Sequence, residues 1–293
     1  MFKLLITGGS GFVGSNLLQH PLFKEALNVG RTSQDKGGKF THIPLTEFSD
    51  YTKVLSGVDV VVHIAARTHV MNEIARDPLS EYRKTNTLAT LNLAKQSIKA
   101  GVKRFIFISS IKVLGDNTEI GQPFSITDSQ NPKDNYGISK AEAEIGLMQL
   151  CRNSNMEFVI IRPPLVYGAG VKGNFEKLIK LISMRIPLPL GSVNNKRSMV
   201  SIGNLVDLIC VCTKHAKAKN QIFLISDDFD LSFPELFYEL SKASGNKCRL
   251  IKFPLGLLRL TLFFLGKSGI YNRLCRSMQV DLTYTKRQLD WRP

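Results

Sequence analysis

The stretch from Lys3 to Gly14, KLLITGGSGFVG, limits what this chain can fold into more than any other. A short apolar run, Leu4-Leu5-Ile6, leads into Gly8-x-x-Gly11-x-x-Gly14 and then into an amphipathic segment from Phe12 to Gln19. Strand, glycine turn and helix in that order are what a dinucleotide site requires. One glycine makes the tight turn, one lets backbone approach a pyrophosphate, one lets the helix pack close to the strand, and the helix N-terminus faces the phosphates. The spacing predicts an opening Rossmann unit in which Gly8, Gly11, Phe12, Val13 and Gly14 meet a cofactor.

At 293 residues, 43% of them hydrophobic, the chain is longer than a usual single domain and rich enough in apolar residues for a large core. The expected fold is α/β: a Rossmann doubly wound parallel sheet over residues 1–163 and a smaller C-terminal substrate-binding lobe over 164–293. Within that lobe, 202–226 is expected to return to the Rossmann domain as a helix and a strand. The opening MFKLLIT has one charge before a short apolar run and no cleavage-type site, so it reads as a strand and not as a signal peptide, which favours the cytoplasm. Five scattered cysteines (151, 210, 212, 248, 275) with no C-x-x-C pair suggest neither a disulfide framework nor a metal site.

The next elements carry the cofactor question. Ala26–Gly30 reads as the second strand, and its end normally declares the cofactor, because an acidic side chain there binds the adenosine ribose and repels a 2′-phosphate. Here the end is Val29-Gly30-Arg31-Thr32. A guanidinium at Arg31 pairs with a 2′-phosphate and Gly30 removes the carboxylate, so NADP(H) is favoured over NAD; NAD remains open, with Asp35 as the residue that would then serve the ribose. Val58–Ala66 reads as a buried strand ending in Ala65 and Ala66, whose small size lets backbone pass close to the cofactor. His63 within it reads as a packed core histidine. Pro78–Ala100 reads as one long amphipathic helix stopped by Gly101, with Asn86 on it.

Arg104–Ser110 is another strand, ending in the first chemical candidate, Ser110. Tyr136 and Lys140 come next, at a spacing of four, which places both on one face of a helix. An ammonium together with an oxidised nicotinamide would stabilise the phenolate and lower the tyrosine pKa, making an acid/base usable near neutral pH. Glu157–Pro163 is a further strand, and beyond Pro163-Pro164 the rhythm of strands and helices loosens. Phe253–Gly266 is strongly apolar but too short to span a membrane, so it reads as a packed helix, with a membrane-surface or partner-binding helix as the alternative. The net charge is +15, and from Lys242 onward eleven Lys and Arg stand against two acids. A basic face of that kind attracts a nucleotide diphosphate, a membrane surface or nucleic acid, and no nucleic-acid motif accompanies it. The chain stops at Trp291-Arg292-Pro293 with no obvious finishing cap.

Taken together, Gly8-x-x-Gly11-x-x-Gly14, His63-x-Ala65-Ala66, Ser110, Tyr136-x-x-x-Lys140 and Arg162-Pro163 resemble the extended short-chain dehydrogenase/reductases of the NAD-dependent epimerase/dehydratase group, over essentially the whole chain. The resemblance implies that Tyr136 is the acid/base, that Lys140 orders the nicotinamide ribose, that Ser110 shares the proton with the sugar oxygen, and that Asn86 supports this group through water. It places Pro163 beside the cofactor, and it gives Asn174 and Arg197 to the diphosphate of a nucleotide-diphospho-sugar. It also implies a homodimer pairing the 78–100 and 136–153 helices. Relatives that are dehydratases carry Asp and Glu after the position of Ser110; Ile111 and Lys112 stand there instead, which leaves hydride transfer at one carbon. The Ser110–Gly115 run and the AARTHVMNE stretch at 65–73 further resemble bacterial polysaccharide enzymes that reduce UDP-2-acetamido-2,6-dideoxy-4-keto-hexose. An NADP(H)-dependent 4-keto reductase is therefore expected, with an NAD-dependent UDP-sugar 4-epimerase as the alternative. A non-catalytic NADP-sensing regulator is the distant third, and a dehydrogenase of an apolar ketone is disfavoured by Arg197 and the basic lobe.

Overall fold

Leu4–Thr7 form β1, in which all four side chains are buried, and the glycine turn leads into α1, Phe12–Gln19. A strand buried on both faces needs cover on both, and an alternation of strands and helices supplies it. In chain order come β2 (Leu27–Gly30), β3 (Lys39–His42), α2 (Thr52–Leu55) and β4 (Val60–His63), then α3 (Pro78–Tyr82), a π-helical turn (Arg83–Leu88) and α4 (Ala89–Lys99). After these come β5 (Arg104–Ile108), α5 (Asn135–Arg152), β6 (Glu157–Arg162) and β7 (Leu165–Tyr167). The remainder is α6 (Asn174–Ser183), β8 (Pro187–Leu188), β9 (Arg197–Ser201), α7 (Ile202–Lys214), β10 (Gln221–Leu224), β11 (Asp230–Leu231), α8 (Phe233–Ser244), β12 (Arg249–Leu250), α9 (Leu255–Phe264), α10 (Ser268–Cys275) and α11 (Thr283–Leu289). The computed structural model describes all residues except 1, 33–38, 69–74, 172, 173, 185, 246, 247 and 267, and describes 174–177, 268, 270 and 273 by their backbone only.

Seven strands form one sheet in the order β10-β6-β5-β4-β1-β2-β3, every neighbour parallel. This is a Rossmann-like α/β fold. Two apolar layers cover it. One joins β1, α1 and α7 through Leu17, Leu18, Leu205, Leu208 and Ile209 and reaches to Trp291, whose indole Nε1 donates to Asp207 at 2.6 Å. The other packs Leu93, Ala94, Ala143 and Leu147 of α4 and α5 on the opposite face. Strand order reverses beside β1, where α1 crosses to one face and the path through β4 to the other. In open sheets of this kind ligands bind at that crevice, outside the carboxyl ends of the strands.

The passage from α7 to β10 returns the chain to this sheet, with Gln221–Leu224 pairing in register with Val159–Arg162. Arg104 anchors it: its guanidinium donates to the Glu157 carboxylate at 2.6 and 2.9 Å and to the carbonyls of Cys212 (2.7 Å) and His215 (3.1 Å), a cation on the negative end of α7. Most of the rest of the C-terminal half builds a small sheet, β11-β9-β7, and a lobe whose core includes Ile182, Leu190, Phe233, Phe237 and Leu258, while α11 packs on the main sheet, Thr285 donating to Leu224 O at 2.6 Å. The segment 276–281 ties lobe to sheet domain: Ser198 N donates to Met278 O at 2.8 Å and Phe124 N to Gln279 O at 2.8 Å. All five cysteines are free thiols, Cys151 and Cys212 buried.

Two expected elements differ in detail. The strand read over 58–66 is regular only from Val60 to His63, and the helix read over 78–100 is interrupted by the π turn at Arg83–Leu88. The segment at 253–266 forms a helix as expected, but it packs along one narrow face only.

Candidate active site

The glycine turn shows directly why it tolerates no side chain. Gly8 has φ +81°, and a Cβ there would stand 2.6 Å from the backbone nitrogen of Ala65 at the end of β4. A Cβ on Gly14 would stand 2.2 Å from the carbonyl oxygen of Gly8. Backbone is therefore brought against backbone at both points, and Gly11 N donates to Gly8 O at 3.0 Å to close the turn. The first turn of α1 has no side-chain cap and no acidic residue. Half-exposed Phe12 and Val13 in that first turn and half-exposed Ala65 and Ala66 flank the point where Gly8 abuts Ala65. An anion is the natural occupant of such a helix N-terminus, and the cradle fits a dinucleotide pyrophosphate.

Arg31 lies just beyond the end of β2 and is exposed, with its carbonyl bonded to His42 Nδ1 at 3.1 Å. Among the described residues, the end of β2 carries no carboxylate; Asp35 lies outside the described residues, as does the 69–73 part of the AARTHVMNE stretch.

His63 is fully buried between Thr7 Oγ1 (2.6 Å from Nδ1) and Thr90 Oγ1 (2.8 Å from Nε2), and its ring stacks on Phe107 at 5.8 Å. Burial, reinforced by Lys140, pushes its pKa down to about 3. The ring is a neutral strut that joins β1, β4 and the helix carrying Asn86.

At the ends of β4 and β5 the structure brings together Ser110, Tyr136 and Lys140. Ser110 is the N-cap of a short 3-10 turn (Ile111–Val113), its hydroxyl accepting from Lys112 N at 3.3 Å, and it stands close enough to the Tyr136 phenol to favour the phenolate. Tyr136 is the second residue of α5, half-buried, and Lys140 lies one turn further, 1% exposed. The Lys140 ammonium donates to Ile108 O at 2.7 Å and sits 4.2 Å above the Phe107 ring, so β5 holds it in place. Burial lowers its pKa to about 7, opposed by Glu144. For Tyr136 the direction expected from sequence reverses in the protein alone: burial raises the phenol above its ordinary value, Asp134 adds to the rise, and the Ser110 hydroxyl only partly offsets it. The reason is that the lowering needs the positive nicotinamide as well as the ammonium, whereas Asp134, the N-cap of α5 bonded to Gly137 N at 2.7 Å, is already beside the ring.

Asn86 is fully buried in the π turn. Its Oδ1 accepts from Arg67 N at 2.7 Å, while Nδ2 donates to Arg67 O and to Ser139 Oγ, both at 3.0 Å. It therefore clamps the segment after β4 to α5 one residue before Lys140. A π turn adds a residue to the helix and is frequent at functional sites. Sequence reasoning did not find Tyr82 or Arg67, which complete this wall. The Tyr82 ring meets Tyr136 edge-on at 6.4 Å, its hydroxyl donates to Thr68 O at 3.0 Å, and the Arg67 guanidinium lies 5.4 Å from its centroid. Nor did it find Glu144, wholly buried, which takes Arg162 bidentately at 3.0 and 2.7 Å and Gln130 at 2.7 Å. No local pattern links residues eighteen apart on a helix and a strand.

On the lobe side, Pro163 is buried and its carbonyl accepts from Ile111 N at 2.9 Å, which fixes the turn after Ser110. Arg197 begins β9, half-buried, and donates to Arg276 O at 3.2 Å; burial lowers its pKa somewhat. Asn174 opens α6, and its side chain lies outside the described residues. Lys112, where dehydratases carry an acid, pairs with Asp134 and, at 3.4 Å, with Asp116.

A parallel dinucleotide fold with a serine, a tyrosine and a lysine gathered at its strand ends defines an oxidoreductase of the short-chain dehydrogenase/reductase type. The model of the NAD dependent epimerase/dehydratase family matches residues 4–226, and the chain belongs to that family. It is 47% identical, over 99% of its length and 90% of the relative's, to a UDP-glucose 4-epimerase of Vibrio cholerae. It is 30% identical, over 87% of its length and 77% of the relative's, to an N-acetyl-α-D-glucosaminyl-diphospho-ditrans,octacis-undecaprenol 4-epimerase of Escherichia coli O157:H7. The solved UDP-glucose 4-epimerase of Thermotoga maritima with UDP-glucose superposes with a TM-score of 0.77 over 100% of this chain and 94% of that one, at 22% identity.

Proposed function

We propose that this protein transfers hydride at C4 of the sugar in a nucleotide-diphospho-sugar, as an NADP(H)-dependent 4-keto reductase of a UDP-2-acetamido-2,6-dideoxy-hexos-4-ulose in bacterial surface polysaccharide synthesis. The observation that carries the reading is the Ser110–Tyr136–Lys140 group at the end of β5, with Lys140 anchored on the Ile108 carbonyl. A pyridine nucleotide bound along that turn supplies the hydride. Gly8, Gly11, Gly14, Phe12, Val13, Ala65, Ala66 and Pro163 form its berth, and Lys140 holds its ribose.

The chain's own part is proton management. Tyr136, kept protonated by burial, donates its proton to the C4 oxygen as that carbonyl becomes an alcohol, so one hydride and one proton are consumed per ketone reduced. Ser110 hydrogen-bonds the same oxygen and stabilises the charge developing there. Asn86 keeps the helix and the Arg67 segment in register around the phenol. Arg197 and Asn174 take the diphosphate. Gly30 and Arg31 support NADP(H), because the strand end offers a guanidinium and no carboxylate to a 2′-phosphate. Leu88 and Ile145, 40% and 45% exposed beside α4 and on α5, support a homodimer through those helices.

The names of the Vibrio and Escherichia relatives favour a second reading, an NAD-dependent 4-epimerase. There Tyr136 takes the proton from the C4 hydroxyl and returns it after the keto sugar has turned over. Purified protein mixed with NADPH and a UDP-4-keto-6-deoxy sugar tests the first reading. Loss of absorbance at the reduced-nicotinamide band, absent in Tyr136→Phe, is the expected result. Tightly held NAD that copurifies, with interconversion of C4 epimers and no net NADPH consumption, gives the second.

A further inference from the structure

Between Glu239 and Asp281 the chain carries eight lysines and arginines and no aspartate or glutamate. Within that run lies α9, LGLLRLTLFF, an almost wholly apolar helix. Such a helix in a folded protein ordinarily hides a broad face. Here Leu258 alone is buried, with Leu255 and Leu262 partly so, against the lobe core around Phe233 and Phe237. The opposite side stands in solvent: Leu257 and Leu260 are each 49% exposed, Phe263 65%, Phe264 77% and Leu265, just past the helix, 66%. The spacing 257, 260, 264 puts three of them on one stripe. Arg259 flanks that stripe, and exposed Lys252 precedes it. Between α9 and α10 an open groove of about 430 Å³ has Leu260, Phe263 and Tyr271 among its walls and Arg259 and Arg276 among its lining residues.

We propose that this face docks on the surface of an anionic bilayer, with α9 lying in the plane of the interface. Leu257, Leu260, Phe263 and Phe264 reach the acyl carbons, while Lys252 and Arg259 lie along the surface and place their charged heads at the lipid phosphates. Charge decides between occupants. A two-fold contact with a second copy would bring the exposed cations Lys252, Arg259 and Arg276 against their own copies, whereas an anionic leaflet offers them counter-charge. Ten helical residues extend about 15 Å, half of the hydrocarbon thickness, and no helix among the described residues is long and apolar enough to cross. The attachment is therefore peripheral. The inference goes beyond the reaction and holds for either direction of it.

Sedimentation of the whole protein with vesicles tests it. Phosphatidylglycerol/phosphatidylethanolamine vesicles should carry the protein into the pellet, phosphatidylcholine vesicles should not, and added NaCl should release it. Phe263→Ser/Phe264→Ser, at two largely exposed positions, should weaken vesicle binding by about tenfold or more, and Phe263→Leu/Phe264→Leu should restore it. Lys252→Gln should weaken it by roughly fivefold, the equivalent of one surface cation. Phe264→Trp gives an independent reading through a blue shift of its emission on vesicle addition, which holds even if the serine pair folds poorly. Protein that stays in the supernatant with anionic vesicles at low salt overturns the proposal. So does vesicle binding that the folded serine pair leaves unchanged. A concentration-dependent dimer that the serine pair dissolves, without vesicle binding, would assign the face to a second copy instead.

Discussion

The two halves of the molecule handle awkward side chains in opposite ways. In the sheet domain the buried charged residues Arg104, Lys140, Glu144 and Arg162 each hold a partner within 3.1 Å, and buried His63 is bonded on both ring nitrogens. In the lobe, α9 leaves its large apolar side chains outside. The contrast teaches where rigidity is concentrated. Proton chemistry needs groups fixed to within a fraction of an ångström, and Lys140 and Asn86 near Tyr136 are each held by buried hydrogen bonds; the lobe's outer helix contributes an adhesive surface, for which exposure is the useful property.

Changes in the sheet domain should therefore be expensive and changes on α9 cheap. The largest effect is expected from Tyr136→Phe, which lowers turnover by about 10²- to 10⁴-fold while leaving the melting temperature nearly unchanged, read by steady-state kinetics and thermal unfolding. Next, Arg162→Met leaves Glu144 buried without its cation and should cost about 3–5 kcal/mol in urea unfolding, most of which Arg162→Met/Glu144→Met recovers. If the single variant unfolds at the wild-type midpoint, the picture of a tightly paired interior fails. The buried histidine gives a pH signature. Its folded pKa of about 3 lies below the ordinary 6.5, so the unfolded chain binds the extra proton first. Its neutral burial is without penalty above pH 6.5, and stability falls as pH drops from 6.5 toward 3, by on the order of a few kcal/mol. His63→Gln should remove that slope from a series of unfolding curves. Gly14→Ala forces a Cβ against the Gly8 carbonyl and should cost about 1–3 kcal/mol, together with loss of nucleotide binding, monitored by quenching of reduced-cofactor fluorescence. At the small end, Leu257→Ser should change stability by no more than about 0.5 kcal/mol, and a larger loss would mean that α9 is part of the packed interior after all.

Much of the sheet domain was legible from order along the chain, because its cues are local. An apolar run before spaced glycines dictates a strand and a turn, and residues four apart on a helix share a face, so the meeting of Tyr136 with Lys140 needs no tertiary knowledge. His63 was readable as core from its apolar neighbours. What stayed hidden depends on distant partners. Glu144 finds Arg162 across a helix and a strand, and Tyr82 reaches Tyr136 from another helix. The rise in the Tyr136 pKa could not be read either, since burial is a property of the assembled site. For α9, composition reads as a core helix, but whether enough neighbours exist to cover it is decided by the lobe's size and not by the helix's own pattern.

The wider winding at Arg83–Leu88 also sets a constraint on chain length. Each residue removed from a helix rotates the downstream turns by about 100°. A single deletion within the wide turn would let it tighten to ordinary pitch and leave Leu93, Ala94 and Ser97, the inward residues of α4, in phase with Tyr82 upstream, whereas the same deletion inside α4 would swing the residues beyond it outward. The extra residue thus serves the asparagine and not the packing: its loss would spare the buried face of the helix and cost the seat from which Asn86 grips the Arg67 segment.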